Sequence, residues 1–112
     1  MLYKLENFID RYGNEPYARW FDKLKNMTLR DAITERMFLI EEHGDFGKHK
    51  SLRGGLWELH FDIGPGYRVY YMLEGRMVIL LLCGGNKTSQ DDDIALARKY
   101  IKYYRLHHKK KR

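Results

Sequence analysis

The sequence predicts an α+β fold: two N-terminal helices and a C-terminal helix packed on a mainly antiparallel sheet, in the order β-α-α-β-β-β-β-α. Three observations predict it. Apolar residues recur at helical spacing in two consecutive segments before His43. Residues 57–61 and 67–71 alternate apolar and polar with period two, as half-buried strands do. The stretch after Ser89 opens on three acids and continues into bases, the order a helix dipole favours. A chain of 112 residues is expected to form one domain around one core, here at 1–106, followed by a basic tail at 107–112.

Leu2 to Ile9 reads as a short strand. Asn14-Glu15-Pro16 then marks a helix start, since asparagine caps and proline is tolerated in the first turn. Tyr17, Trp20, Phe21 and Leu24 follow as one apolar stripe, read as core rather than as a ligand box. Thr28 opens a second helix with Asp31 placed for a capping-box-like contact. Leu29, Ile33, Met37 and Ile40 are its buried stripe, and His43-Gly44 closes it. The two helices are expected to form an antiparallel hairpin lying on the sheet.

Phe46 to Leu52 is the weakest strand candidate and ends at the turn Arg53-Gly54-Gly55. Trp57, Leu59 and Phe61 alternate with Glu58, His60 and Asp62, and Gly64-Pro65-Gly66 reverses the chain. Tyr67, Val69 and Tyr71 alternate with Arg68, Tyr70 and Met72 up to the turn Glu74-Gly75. Met77 to Cys83 is almost wholly apolar, as for a strand covered on both faces. After Gly84-Gly85, Thr88 or Ser89 caps a last helix with Asp91, Asp92 and Asp93 in its first turn and Ile94, Ala97, Ile101 and Tyr104 as its stripe.

The formal charge is +6, and the excess is uneven: from Arg98 onward come eight Lys or Arg residues and no acid after Asp93. Such a surface selects an anionic partner, whether nucleic acid, acidic protein or membrane surface. Cys83 is the one cysteine, so an intrachain disulfide is excluded, and its apolar surroundings predict an inert buried thiol. No charged n-region with an apolar stretch opens the chain, and no run of about 18 apolar residues exists, so a cytoplasmic protein without membrane association is expected. No His, Cys and acid spacing matches a metal site, and the glycine pairs lack the strand-to-helix context of a phosphate loop, so they read as turns and no cofactor is expected.

Alternation also nominates a site. If Trp57, Leu59, Phe61 and Val69 face the helices, one polar sheet face carries Glu58, His60, Arg68 and Tyr70, joined by the basic loop residues Lys48, Lys50 and Arg53. Cleavage of RNA by its own 2′-hydroxyl requires a base, a cation for the phosphorane and an acid for the leaving oxygen, which such a set supplies. Tyrosines stack bases of single-stranded RNA. The same strand face also fits an ordinary solvated surface, with Glu58 paired to Arg68 across strands. His43, His49, His107 and His108 are read as surface residues.

The stretch Gly55-Leu56-Trp57-Glu58-Leu59, then Gly64-Pro65-Gly66-Tyr67-Arg68-Val69-Tyr70-Tyr71, resembles the phage-derived Gp49-like, HigB-like branch of the RelE/ParE toxin superfamily. The likeness continues through Ile79 to Lys87, Gln90, Asp93-Ile94 and Ala97, and takes in Asn14-Glu15-Pro16-Tyr17 and Trp20. The resemblance implies a RelE-like fold and the toxin of a type II toxin–antitoxin system: an mRNA interferase that cuts messages in the ribosomal A site without metal and arrests growth. It implies a HigA-like helix-turn-helix antitoxin as partner, with the ribosome and mRNA as target and DNA contacted only through the antitoxin. Arg68 is the best-matched catalytic position, with Glu58, His60, Lys87 and Tyr70 beside it; Lys48, Lys50, Arg53, Arg76, Lys102 and Arg105 are the RNA-binding candidates. ParE-type relatives on the same fold inhibit DNA gyrase, and a phage protein can keep the fold without toxicity, so both alternatives stay open.

Overall fold

Where each apolar stripe docks decides what is left for a site. The computed structural model describes residues 1–108. Its elements are β1 (Lys4–Asn7), α1 (Pro16–Asp22), α2 (Met27–His43), β2 (His49–Arg53), β3 (Leu56–Phe61), β4 (Tyr67–Glu74), β5 (Val78–Asn86) and α3 (Gln90–His108). This is the expected α+β order. The five strands form one mixed sheet in the order β1-β5-β4-β3-β2, with β1 parallel to β5 and the other pairs antiparallel.

Alternation sorts the strand residues between two cores. Leu59, Phe61, Val69 and Tyr71 pack with Tyr17, Leu29, Ile33 and Ile40 from α1 and α2. Trp20, Phe21, Leu24 and Met37 pack at the edge of that core, so the aromatic stripe is core as read. On the opposite face Leu56, Tyr70, Met72 and Leu80 pack with Ala97 and Ile101 of α3. Buried on both faces, β5 bears out the apolar run.

A bulge between Tyr70 and Tyr71 shifts the β4–β5 register, pairing Tyr70 with Cys83 and Tyr71 with Leu81. The extra residue puts Leu82 and Cys83 both into the α3 core. It also aims Gly84 at Trp20 and Gly85 at Asp93. These two glycines therefore lie inside a strand and are not a turn.

Helix starts differ from expectation by one or two residues. The α2 cap is Asn26, whose Oδ1 accepts from the Leu29 N–H at 3.1 Å, and not Thr28. Glu15 occupies the α1 cap without a side-chain bond to the helix, its Oε1 accepting from Asn7 Nδ2 instead, while Asn14 accepts from Arg19. Gly44 closes α2 at φ 65°, as read. Helix α3 continues through His108, so the first two residues of the expected tail are helical; Lys109 to Arg112 lie outside the described residues. No helix among the described residues is long and apolar enough to cross a membrane.

Candidate functional site

Directly opposed residues of an antiparallel pair share a face. The β3–β4 register opposes Glu58 to Tyr70 and His60 to Arg68, so these four side chains share the face on which α3 docks. That face is not the open polar surface expected from alternation, because α3 covers part of it. Tyr70 is fully buried in the α3 core and does not line a cleft; Glu58 is 1% exposed. His60 and Arg68 stay partly open. With Asp62, Tyr67, Lys87 and the turn Gly64-Pro65-Gly66 they line a cleft of about 250 Å3. The Lys87 N–H donates to the Gly66 carbonyl at 3.0 Å, which ties the end of β5 to this turn.

Glu58 sits beneath the cleft and organises it. Its Oε2 lies 2.6 Å from His60 Nε2. An ionised carboxylate only accepts, so towards an ionised Glu58 the Nε2 atom donates, and Nδ1 is the ring nitrogen that Glu58 does not engage. Its Oε1 lies 3.5 Å from Arg68 Nε, within ion-pair range but without a hydrogen bond. Glu58 Oε1, Arg68 Nε and the Tyr70 hydroxyl are buried polar atoms without hydrogen-bond partners among the described residues. Burial first, then the charges of Glu58 and Asp93, push the Tyr70 phenol above its ordinary value against the pull of Arg68, so it stays a neutral hydroxyl. At the rim, Lys48 Nζ bonds Asp62 Oδ2 at 2.9 Å and holds that carboxyl below the usual carboxylate range.

A family model described as Phage derived protein Gp49-like (DUF891) matches residues 19–102. The chain belongs to the Gp49-like family. An uncharacterized protein of Haemophilus influenzae is 42% identical over 82 residues, which cover 73% of this chain and 82% of that relative. The Gp49-like segment begins inside α1 and ends inside α3, so it contains the whole cleft.

The remaining candidates of this Gp49-like chain do not converge on the cleft. Lys48 lies at its edge, and Lys50 is exposed on β2 opposite Glu58. Arg53, Lys102 and Arg105 gather at the other end of the sheet, around the turn after β2. Arg76 stands in the β4–β5 turn, at that same far end. Lys50 and Arg53 belong to a strand and not to a loop.

Two sets of contacts beside the cleft lie outside the expected site residues. Arg36 of α2 donates from Nη1 to the Phe46 and Lys48 carbonyls at 3.1 and 3.3 Å, and from Nη2 to the His60 carbonyl at 3.0 Å. Its guanidinium also lies 4.4 Å over the Phe61 ring, so one side chain ties α2 to both strands beside the cleft. The available signal was an arginine one helical turn from Ile33 and Ile40, on the buried side. Behind Arg68, the Ser89 hydroxyl donates to Asp93 Oδ2 at 2.6 Å, and the carboxylate packs where a Gly85 side chain would be. Burial raises the Asp93 carboxyl, against the hydrogen bond from Ser89.

Proposed function

We propose that this chain is the toxin of a type II toxin–antitoxin pair of the RelE/HigB kind, and that it arrests translation by cutting mRNA on the ribosome. The observation that carries this reading is the grouping of His60, Arg68 and Lys87 around one cleft, with a buried Glu58 bonded to the histidine. Membership of a phage-derived family and the sequence resemblance support it.

The chemistry is a transesterification within the RNA. His60 Nδ1 takes the proton of a 2′-hydroxyl, and the freed oxygen attacks the adjacent phosphorus. Arg68 neutralises the phosphorane oxygens with a planar fork that stays charged. The bond to the 5′-oxygen breaks, and the Lys87 ammonium protonates that oxygen, giving a 2′,3′-cyclic phosphate and a 5′-hydroxyl. Glu58 orients the imidazole, as the third member of a nucleophile–base–orienter set does. A helix-turn-helix antitoxin is the proposed partner, through which alone the pair contacts DNA.

Brief induction followed by primer extension on cellular mRNA tests the proposal. New 5′ ends inside translated messages are expected, and they disappear in a folded Arg68→Ala variant. Intact mRNA with blocked gyrase supercoiling overturns the nuclease in favour of a protein-binding inhibitor. Normal growth with the folded protein present overturns toxicity itself.

A further inference from the structure

The cations that the cleft does not use form a path away from it. On edge strand β2, the Lys48 carbonyl accepts from the His60 N–H at 2.9 Å, and Lys50 stands opposite Glu58, so both strand positions belong to the α3 face. Farther along, Arg98, Lys102 and Arg105 line a second recess of about 320 Å3, together with Gly54, Ile101 and Leu106. Arg98 donates from Nη1 to the Arg53 carbonyl at 3.1 Å and from Nη2 to the Leu52 carbonyl at 2.8 Å; Arg105 donates from Nη2 to the Gly54 carbonyl at 3.2 Å. Within the recess, backbone carbonyls orient these guanidinium groups. Among the described residues no carboxylate lines the recess. Of the acids of this face, Asp62 and Asp91 to Asp93 lie at the cleft end, while Glu74 lines a separate recess that it shares with Arg105 and His108.

We propose that this recess is a second phosphate-binding site, and that Lys50 and the recess carry the backbone of an RNA strand that also occupies the cleft. This rests on the RNA reading above and extends it to the size of the substrate. From Gln90 to Lys102, α3 rises about 18 Å at roughly 1.5 Å per residue. That distance is roughly five steps of a stacked strand at about 3.4 Å each. The ligand is therefore an RNA of about six nucleotides or more, gripped by phosphates at both ends of α3, and not an isolated dinucleotide.

The test is a titration of the full chain, carrying Arg68→Ala to prevent cleavage, with a labelled RNA of about twelve nucleotides at several salt concentrations. Adding Lys102→Glu and Arg105→Gln is expected to weaken binding about tenfold or more and to flatten the log–log salt slope by about one to two. Glutamine keeps an amide donor for the Gly54 carbonyl, and a thermal melt reports folding. Lys102→Glu alone, at an exposed helix position, gives a smaller loss of the same sign if the double variant does not fold. Unchanged affinity and slope overturn the proposal. Competition by polyglutamate as strong as by RNA also overturns it, in favour of an acidic protein partner. Recess-dependent RNA binding by a chain that cuts no mRNA upholds the site while removing the nuclease; mRNA cleavage with binding insensitive to the recess does the reverse.

Discussion

Nε2 of His60 lies 2.6 Å from Oε2 of Glu58, two residues earlier on the same strand and on the same face. The carboxylate is almost wholly buried and the imidazole opens into a cleft, so the contact fixes the ring from beneath. A buried acid holding a partly open histidine beside an arginine and a lysine is costly as structure alone, since ionic groups lose hydration on burial.

Glu58→Gln separates these roles. The amide keeps the shape but removes the charge that orients the imidazole. We expect message cleavage in a translation extract to fall about 10²- to 10⁴-fold. The melting temperature should fall, because Arg68 loses the carboxylate beside its buried Nε, so cleavage is compared at a temperature where both proteins are folded. Wild-type cleavage in this variant would contradict the role given to Glu58.

Asp62 provides a pH signature. Its bond to Lys48, then the Lys48 charge, lower the carboxyl pKa. The unfolded chain therefore binds more protons than the native one through the ordinary carboxylate range, and this contribution to stability is present above that range and lost as pH falls through it. Asp62 is fully solvated, so its titration and not its energy is the readout. In Lys48→Ala the Asp62 carboxyl should titrate at higher pH in a carbon-detected NMR experiment; an unmoved titration would refute the pairing.

Gly84→Ala and Gly85→Ala test the bulge-shifted register. A Cβ at Gly84 runs into the Trp20 ring, and one at Gly85 into the Asp93 carboxylate. Each should cost about 1–3 kcal/mol in denaturant unfolding, with Gly85→Ala also disturbing the Ser89–Asp93 bond. Neutral behaviour of both would mean that the strand ends before residue 84.

Cys83 should be silent to thiol reagents. Burial, with a smaller effect of Asp93, pushes its thiol up to about 12, so almost no thiolate exists at neutral pH. Colorimetric thiol titration is expected to read no reactive group in the native protein and one on unfolding. Rapid native reaction would place Cys83 at a surface.

Asn26→Ala should lower stability by about 1 kcal/mol, the usual cost of a lost helix cap. Thr28→Ala, already inside the helix and exposed, should stay within about 0.5 kcal/mol. Paired chemical denaturation curves distinguish the two positions.

The element order, the α1 and α2 stripes and the facing of Leu59, Phe61 and Val69 were legible in the sequence, because spacing of 3.6 or 2 residues records locally which side of an element is buried. The same alternation put Glu58, His60, Arg68 and Tyr70 on one face. It did not tell that Glu58 and Tyr70 would be buried there while His60 and Arg68 stayed open, for that depends on where α3, some thirty residues away, comes to rest. Nor did it tell that Arg53, Lys102 and Arg105 would collect at the opposite end from Lys87, or that Gly84 and Gly85 would sit within a strand. Charge and glycine content are local properties. Which cations share a cleft, and which neighbour a missing side chain makes room for, are set by long-range packing and by a single extra residue at a bulge.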